Sequence, residues 1–262
     1  MDVLKMMEKK SFINIDTFVI SLPEASKRQK RVEEEFSKIG MRFQFFDGVD
    51  AMKYQSELLE ITDVNAWERN MGAKLTLGHL GCYMAHVKLW EKIGNMKKPV
   101  LICEDDVSFT ADFPRALQVA IEMQTDWDIC RFAKIRSVGA IKVKAIEQFR
   151  LNYYWGPFTG NACYLIQPNT ASKLANAFIP ITRAHDHELN RFFSHDVRLT
   201  GLEPFTAKPQ DGGESYITGN SMENVYKFNK IRRLPHYSIK AMNYLFRLVW
   251  LIKRGIFFKR YG

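Results

Sequence analysis

Three consecutive carboxylates, Glu104, Asp105 and Asp106, come directly after an apolar run at residues 100–103. The run predicts a fully buried strand of an α/β sheet. Acidic residues are depleted in strands and costly to bury unpaired, so packing alone does not explain a triplet there. The carboxyl ends of parallel strands border the ligand-binding crevice of open α/β sheets. Clustered carboxylates at that position favour Mg²⁺ or Mn²⁺, which would in turn hold the phosphates of a substrate.

The triplet has a second interpretation as a helix cap, because Asp before a helix satisfies free backbone N–H groups. Residues 111–114, Ala-Asp-Phe-Pro, are the better helix start, since Pro114 suits the first turn. The metal or phosphate role is therefore the interpretation that we favour for the triplet.

Composition places the chain among globular proteins. Its 262 residues are 46% hydrophobic and 26% charged, without a low-complexity tract. The four cysteines are widely spaced, which is typical of reduced thiols rather than of a disulfide framework or a zinc site. The first sixteen residues contain no apolar stretch of the kind found in secretory signals. We expect a cytoplasmic protein.

Positive charge is concentrated at the C-terminus. The net charge is +9, yet the last 39 residues hold ten cations and no acid, which leaves the rest of the chain near neutrality. Residues 244–260 alternate apolar side chains with cations and are too short and too charged to predict a membrane span. We therefore divide the chain into a globular domain, residues 1–225, and a basic amphipathic tail, residues 226–262.

The tail has three interpretations. Aromatic residues and cations together favour a helix that lies on an anionic membrane surface through residues 240–262. A basic tail can also bind nucleic acid, but the many Leu, Ile, Val and Phe residues favour lipid, so we expect no nucleic-acid partner. The third interpretation is a helix docked onto its own domain or onto a partner.

The N-terminal part predicts a βαβ unit. Residues 17–22 form an apolar, β-branched run, a helix follows as far as Gly40, and residues 42–46 alternate as a second strand. This order implies a parallel sheet. Arg28 and Arg31 lie in the first turns of the helix, where cations oppose the helix dipole. They could meet an anionic ligand, and a solvated basic face is equally compatible with the pattern.

Three further regions contain residues that could act in chemistry. His79 and His86 lie two turns apart on a predicted helix, although a buried, inert histidine is the commoner outcome for each. Residues 153–161 combine aromatic residues with glycines. This segment could form a sugar-stacking platform, or it could belong to the ordinary core. Residues 185–188, His-Asp-His-Glu, open a helix and could provide a general base, a metal ligand or simply a cap.

Taken in order, these segments resemble glycosyltransferase family 25, the lipooligosaccharide galactosyltransferase group of Gram-negative bacteria. The resemblance spans roughly residues 16–220, and it rests on the ordered set rather than on any single motif. Its segments are residues 18–22 with Arg28 and Arg31, then 46–51, 77–86, 100–106, 162–166, 186–189 and 210–215. Two positions depart from the family pattern: His79 stands where Glu is usual and Ala85 where Ser is usual. The first departure could alter the choice of acceptor.

The resemblance implies a GT-A-like, Rossmann-like fold, with a mostly parallel sheet flanked by helices. It also implies an inverting transfer of a sugar, most often galactose, from a UDP-sugar to a lipooligosaccharide acceptor. Mn²⁺ or Mg²⁺ held by Glu104 and Asp106 would neutralise charge on the departing diphosphate. A lipid-anchored acceptor is presented at a membrane, which agrees with the basic tail. We therefore expect a peripheral protein on the inner face of the inner membrane.

The predicted site residues fall into three groups. Inversion needs a base for the acceptor hydroxyl, and we assign Asp186, with Glu188 as the second candidate. The predicted donor-binding residues are Ser21, Leu22, Arg28, Arg31, Asp47, Gly48, His86, Glu104 and Asp105. The predicted acceptor-binding residues are Gly160, Asn161, Gln210 and Ser215.

Two other functions are compatible with the same residues. Metal-dependent phosphohydrolases and nucleotidyltransferases also use clustered carboxylates at strand ends. A non-catalytic protein could bind lipid or nucleic acid through its tail.

Overall fold

The computed structural model describes residues 15–210 and 226–257 of the chain. In these residues, helices surround a central eight-stranded sheet, with two smaller two-stranded ladders beside it. The strands are β1 (Thr17–Ser21), β2 (Gln44–Asp47), β3 (Val100–Glu104), β4 (Val107–Phe109), β5 (Ile129–Arg131), β6 (Arg136–Ser137), β7 (Ala140–Ile146), β8 (Phe149–Tyr154), β9 (Phe158–Thr159), β10 (Cys163–Ile166), β11 (Leu199–Glu203) and β12 (Ala207–Pro209).

The helices begin and end at residues whose chemistry suits those positions. The Asp63 carboxylate accepts a hydrogen bond from Ala66 N at 2.8 Å and so caps the third helix. Gly40 and Gly72 end the first and third helices in the left-handed conformation, which glycine adopts without strain. The helices are α1 (Ser26–Ile39), α2 (Gln55–Glu60), α3 (Val64–Met71), α4 (Leu77–Ile93), α5 (Phe113–Glu122), α6 (Pro168–Ala177), α7 (His185–Leu189), α8 (Phe192–His195) and α9 (Leu234–Lys253).

The order of strands in the large sheet is β2-β1-β3-β10-β5-β11-β8-β7. Pairing is parallel from β2 through β1 to β3 and again between β5 and β11, so the predicted βαβ unit is confirmed. Six of the eight strands point the same way, while β8 and β10 run against them. The predicted α/β class is confirmed, and the sheet is mixed. Apolarity predicts a buried strand but not its direction, so the reversal of β10 could not be read from its sequence.

The parallel pairing brings polar residues together at one edge of the sheet. Val100, Leu101, Ile102 and Cys103 of β3 are fully buried, as the apolar run predicts. In register, Ile20 of β1 pairs with Glu104, and Ser21 pairs with Asp47 of β2. The carboxyl ends of three strands therefore meet where the acidic triplet begins.

Helix α4 closes this edge of the sheet. Gly81 lies against the loop after β2, since a Cβ atom at that position would come within 2.5 Å of the Val49 carbonyl oxygen. This close approach brings Cys82 and His86, which follow on the same helix, toward the triplet. The four cysteines are free thiols, as expected.

Helix α9 docks one face onto the body, against α3 and α8. Trp250 donates a hydrogen bond from Nε1 to Asp196 Oδ1 at 2.9 Å, and Arg254 pairs with the same carboxylate at 2.5 Å. Leu251 is fully buried. The interpretation of the tail as a helix docked on its own domain is thus confirmed for this face.

The opposite face of α9 remains exposed. Leu245, Leu248, Val249 and Ile252 are spaced three, four and seven residues apart and form one apolar stripe on that face. Within the described ranges, no helix combines the length and apolarity needed to cross a membrane. Residues 258–262 of the predicted membrane-binding segment lie outside the described residues.

Candidate active site

An open cavity of about 300 Å³ lies at the carboxyl ends of β1 and β3. Its walls are the end of β1, the loop after β2, the first half of α4 and the acidic triplet. The predicted donor and metal residues that line it are Ser21, Leu22, Arg28, Gly48, His86, Glu104, Asp105 and Asp106. The structure therefore brings most of these residues together. Asp47 and Arg31 do not line the cavity, but each contacts a residue that does.

Asp105 holds the turn after β3 in place. Its carboxylate accepts hydrogen bonds from Ser21 Oγ at 2.9 Å and from Arg28 Nη1 at 2.7 Å. Arg31 Nη2 donates to the Asp105 carbonyl oxygen at 3.2 Å. Arg28 and Arg31 at the start of α1 thus bind the triplet. This contact explains why two cations lie where the helix dipole disfavours them. Asp105 itself is buried and acts as their anchor.

Asp106 is the member of the triplet that lacks such partners. Its Oδ1 atom is buried and forms no hydrogen bond with any residue that the structure describes. Burial and the charges of Glu104 and Asp105 raise the pKa of Asp106 to about 7, against the opposing charges of Arg28 and Arg31. A buried carboxylate oxygen beside two other acids fits a divalent cation, which would replace repulsion by coordination.

Glu104 is oriented by a chain of hydrogen bonds from the core. Trp90 Nε1 donates to Tyr164 Oη at 3.0 Å, and the hydroxyl lies 2.8 Å from His86 Nδ1. Because the tyrosine has one proton to give, we assign it to His86 Nδ1, which leaves the imidazole proton on Nε2. His86 Nε2 then donates to Glu104 Oε1 at 3.2 Å. His86 is therefore a positioning residue for Glu104.

A second set of possible metal ligands shares Glu104. Ligand atoms of Cys82, His86 and Glu104 all lie within 4.8 Å of one another. Burial, followed by the charge of Glu104, raises the pKa of the Cys82 thiol well above its ordinary value. In the metal-free protein, Cys82 is thus a neutral thiol and not a nucleophile. The carboxylates of Glu104 and Asp106 remain the set that suits Mg²⁺ or Mn²⁺.

Asp186 reaches the same site from α7. Its Oδ2 accepts a hydrogen bond from Gly160 N at 3.2 Å. Its charge helps to raise the pKa of Cys82, together with the charges of the triplet. It also acts on His79, whose pKa is lowered chiefly by burial. Asp186 does not itself line the cavity, but its charge acts on Cys82, which does, although about eighty residues separate Asp186 from the triplet in sequence.

Glu188, unlike Asp186, is enclosed by basic side chains. It is buried, and its oxygens pair with Arg183 at 2.7 Å, His195 at 2.8 Å and Arg191 at 3.2 Å. Burial would raise the pKa of Glu188, but the hydrogen bond from His195 and the charge of Arg183 outweigh it and lower the pKa. A carboxylate with three cationic or histidine partners is a structural node, and this arrangement favours Asp186 as the base.

The predicted acceptor residues lie in different environments. Gly160 adopts a φ of +100° beside Asp186, a conformation that side-chain-bearing residues rarely adopt. Asn161 is buried, and its Nδ2 lies 2.6 Å from His185 Nδ1, behind the cavity. Gln210 is exposed and donates its backbone N–H to the Asp106 carbonyl oxygen at 2.6 Å. Ser215 lies outside the described residues.

Most of the aromatic segment at residues 153–161 belongs to the core. Tyr153, Tyr154 and Phe158 are buried, which favours the packing interpretation for them. Trp155 is 42% exposed, and its ring packs against Tyr244 of α9 at a centroid distance of 5.7 Å. Trp155 is therefore the exposed aromatic residue of this segment.

Sequence analysis missed Arg131, a fully buried cation at the end of β5. It donates from Nη1 to the Phe158 carbonyl oxygen. Burial lowers the pKa of Arg131 to about 10, and the charge of Asp186 acts most strongly against that shift. The guanidinium thus supplies positive charge behind the acids. The available signal was a charged residue after an apolar run, the same signal that reveals the triplet.

Comparison with known proteins agrees with this geometry. The model of the family described as glycosyltransferase family 25 (LPS biosynthesis protein) matches residues 14–189, so the chain belongs to that family. The lipooligosaccharide biosynthesis protein lic2B of Haemophilus influenzae is 30% identical over 179 residues, which are 64% of this chain and 65% of that protein.

A second relative, procollagen galactosyltransferase 1-B of Xenopus laevis, is 25% identical over 248 residues. The match covers 82% of this chain and 39% of the frog protein. The chain therefore spans less than two thirds of the length of either relative. Among solved structures, inositol-1-phosphate CTP transferase from T. maritima aligns with a TM-score of 0.36 and 14% identity, over 86% of this chain and 96% of that one.

The pKa of Asp106 gives a stability prediction for the protein without divalent cations. A carboxyl whose folded pKa is raised disfavours folding above that pKa, and the cost disappears as the pH falls toward its unfolded value. D106N should therefore raise the free energy of unfolding at pH 8, where each pH unit by which the Asp106 pKa is raised costs about 1.4 kcal/mol. The increase at pH 5 should be smaller. Urea unfolding at both pH values measures the difference. D112N, at an exposed aspartate, is the matched control. An equal effect of D106N at both pH values would contradict the prediction.

Proposed function

We propose that this protein is an inverting glycosyltransferase that moves a sugar, galactose in the first instance, from a UDP-sugar to a lipid-linked oligosaccharide. The observation that carries the proposal is the cavity at the strand ends, which the acidic triplet lines and whose wall residue Cys82 feels the charge of Asp186. Family membership supports the reaction class. One relative is named a lipooligosaccharide biosynthesis protein and another a procollagen galactosyltransferase, which supports the choice of sugar and acceptor.

The donor would occupy the cavity between β1, the loop after β2 and α4. A bound Mn²⁺ or Mg²⁺ would act as a Lewis acid toward the departing diphosphate. Glu104 and Asp106 are the residues that would hold it, and the unpartnered Oδ1 of Asp106 supports that assignment. Arg28 and Arg31, fixed by Asp105, would add positive charge beside the phosphates. His86 keeps the Glu104 carboxylate in one orientation.

Asp186 would take the proton of the acceptor hydroxyl as the sugar is transferred. The hydrogen bond from Gly160 N orients its carboxylate. Trp155 would offer a face for an acceptor sugar to stack on.

We further propose that α9 rests on a membrane with its exposed stripe. Leu245, Leu248, Val249 and Ile252 would enter the interface, while the opposite face stays docked on the body. Lys253 and the basic residues that follow would favour anionic lipid. This orientation suits a peripheral protein on the cytoplasmic side of the inner membrane, where a lipid-anchored acceptor would be presented.

Donor binding tests the proposal most directly. Calorimetry with UDP-galactose should detect binding that depends on Mn²⁺, and D106A should weaken it at least about tenfold because a carboxylate ligand is lost. D112A, outside the cavity, should bind as the wild type does. If no UDP-sugar binds under any condition, the metal-dependent phosphohydrolase becomes the better interpretation of the triplet.

The role of Asp186 is tested by two carboxylate-to-amide changes two residues apart. D186N should keep the affinity for UDP-galactose and lower kcat by about 10² or more, since a general base contributes 10²–10⁴. E188Q should instead lower the free energy of unfolding by about 3–5 kcal/mol, because it leaves buried cations unpaired. Steady-state kinetics and urea unfolding separate the two effects. Ordinary turnover in D186N would reject Asp186 as the base.

Membrane binding is tested on the exposed stripe of α9. The double variant L245Q/I252Q should bind phosphatidylglycerol vesicles at least about tenfold more weakly, since burial of each apolar side chain contributes roughly 1.5 kcal/mol or more. Vesicle co-sedimentation measures the loss. L59Q, at an exposed leucine of α2, serves as the control. Unchanged sedimentation of the double variant would remove the membrane from the proposal.

A further inference from the structure

A second cavity, of about 250 Å³, lies between α9 and the body. Four cationic side chains line it: Arg136 from β6, Arg183 from the loop before α7, and Lys240 and Arg247 from α9; of these, Arg183 already pairs with Glu188 at 2.7 Å. His187 and His236 complete this basic lining. No acidic side chain lines the cavity among the residues that the structure describes. A hollow with this lining would attract an anion strongly.

Arg247 supplies the observation that points to a ligand. Its side chain is only 3% exposed, and its Nε donates to the Asn190 carbonyl oxygen at 3.3 Å. The guanidinium lies over the Tyr244 ring, 5.4 Å from its centroid. Its Nη1 atom is buried and has no hydrogen-bond partner in the described part of the chain. A buried charge is expensive without a partner, so an unused donor at a cavity wall indicates a place for an acceptor group.

Two other cations at α9, unlike Arg247, have acidic partners. Arg232 pairs with Glu68 at 2.6 Å, and Arg254 pairs with Asp196 at 2.5 Å. The chain therefore supplies an acid where a cation only fastens α9 to the body. Within the described ranges, Lys240 and Arg247 form no ion pair, and both line the cavity. Their role is thus separable from docking.

The cavity lies next to the proposed base. Arg136 of β6 pairs in register with Thr159 of β9, and Thr159 directly precedes Gly160, which bonds Asp186. On the other side, His187 follows Asp186 in the chain and lines the cavity. A group held there would extend from the acceptor side of the active site, beneath the face of α9 that is docked on the body.

We propose that this basic cavity holds a phosphate group of the acceptor, so that the protein selects a phosphorylated saccharide. The identification of the ligand as an acceptor rests on the proposed glycosyl transfer. The phosphate site itself rests on the lining of the cavity alone. Several guanidinium and ammonium donors that line one cavity suit the oxygens and double charge of a phosphate. A lipid headgroup carries the same phosphate chemistry, and the experiment below separates the two sources.

The test uses the exposed members of the lining, whose replacement leaves the core intact. Calorimetry without divalent cations, at constant ionic strength, measures the binding of inorganic phosphate and of glucose 6-phosphate to the full chain. R136Q/K240Q should weaken both at least about tenfold, since the charges of two cations that line the cavity are removed. K253Q, on the same helix but outside the cavity, should bind as the wild type does. Equal affinities in the double variant and the wild type would overturn the phosphate site.

A second arm identifies the source of the phosphate. Binding to phosphatidylglycerol vesicles should fall no more in R136Q/K240Q than the loss of two surface charges explains, a loss that K97Q/K98Q, at two exposed lysines outside both cavities, calibrates. If vesicle binding collapses in the double variant along with phosphate binding, the cavity serves a lipid headgroup and the saccharide assignment is wrong. None of these measurements needs a donor or turnover. The phosphate site can therefore be confirmed even if UDP-galactose does not bind, and it can be rejected even if UDP-galactose binds.

Discussion

The fixing of the turn after β3 is the constraint on which the candidate site depends. Three carboxylates in succession repel one another, and the chain manages this by giving each a different environment. Asp105 is neutralised by Arg28, which stands 77 residues earlier, and by Ser21. Glu104 accepts a hydrogen bond from His86 Nε2. Asp106 alone keeps a buried oxygen without a partner, at the expense of a raised pKa. The unfavourable burial of negative charge is thus concentrated on Asp106, and a bound cation would relieve it.

The rest of the core extends this arrangement. The chain of hydrogen bonds from Trp90 through Tyr164 to His86 joins α4 to β10. His185 stacks on His86 with ring centroids 4.2 Å apart, and burial holds the pKa of His185 well below its ordinary value. The stacked imidazole is therefore neutral and adds no charge to the site. Through it, α7 and its Asp186 are fixed relative to the triplet.

Helix α9 combines two functions because its two faces differ. One face fastens to the body through Trp250 and Leu251 and closes the basic cavity with Arg247. The other face presents an apolar stripe that nothing in the described residues covers. A glycosyl acceptor anchored in lipid would meet both surfaces at once, since the cavity lies between the docked face and the proposed base. In the proposed function, a single helix would therefore link membrane, acceptor and chemistry.

The sequence by itself determined the local elements and the types of residue at the site. The βαβ unit, the buried strand that ends in Glu104 and the basic amphipathic tail follow from apolar periodicity and charge, which act over a few residues. Tertiary structure alone decided how the acids differ. Asp186 and Glu188 look alike in sequence, yet only Glu188 is enclosed by Arg183, Arg191 and His195. The raised pKa of Asp106, the buried Arg131 and the reversed β10 likewise depend on burial, charge and pairing that come from distant segments, and no local pattern contains that information.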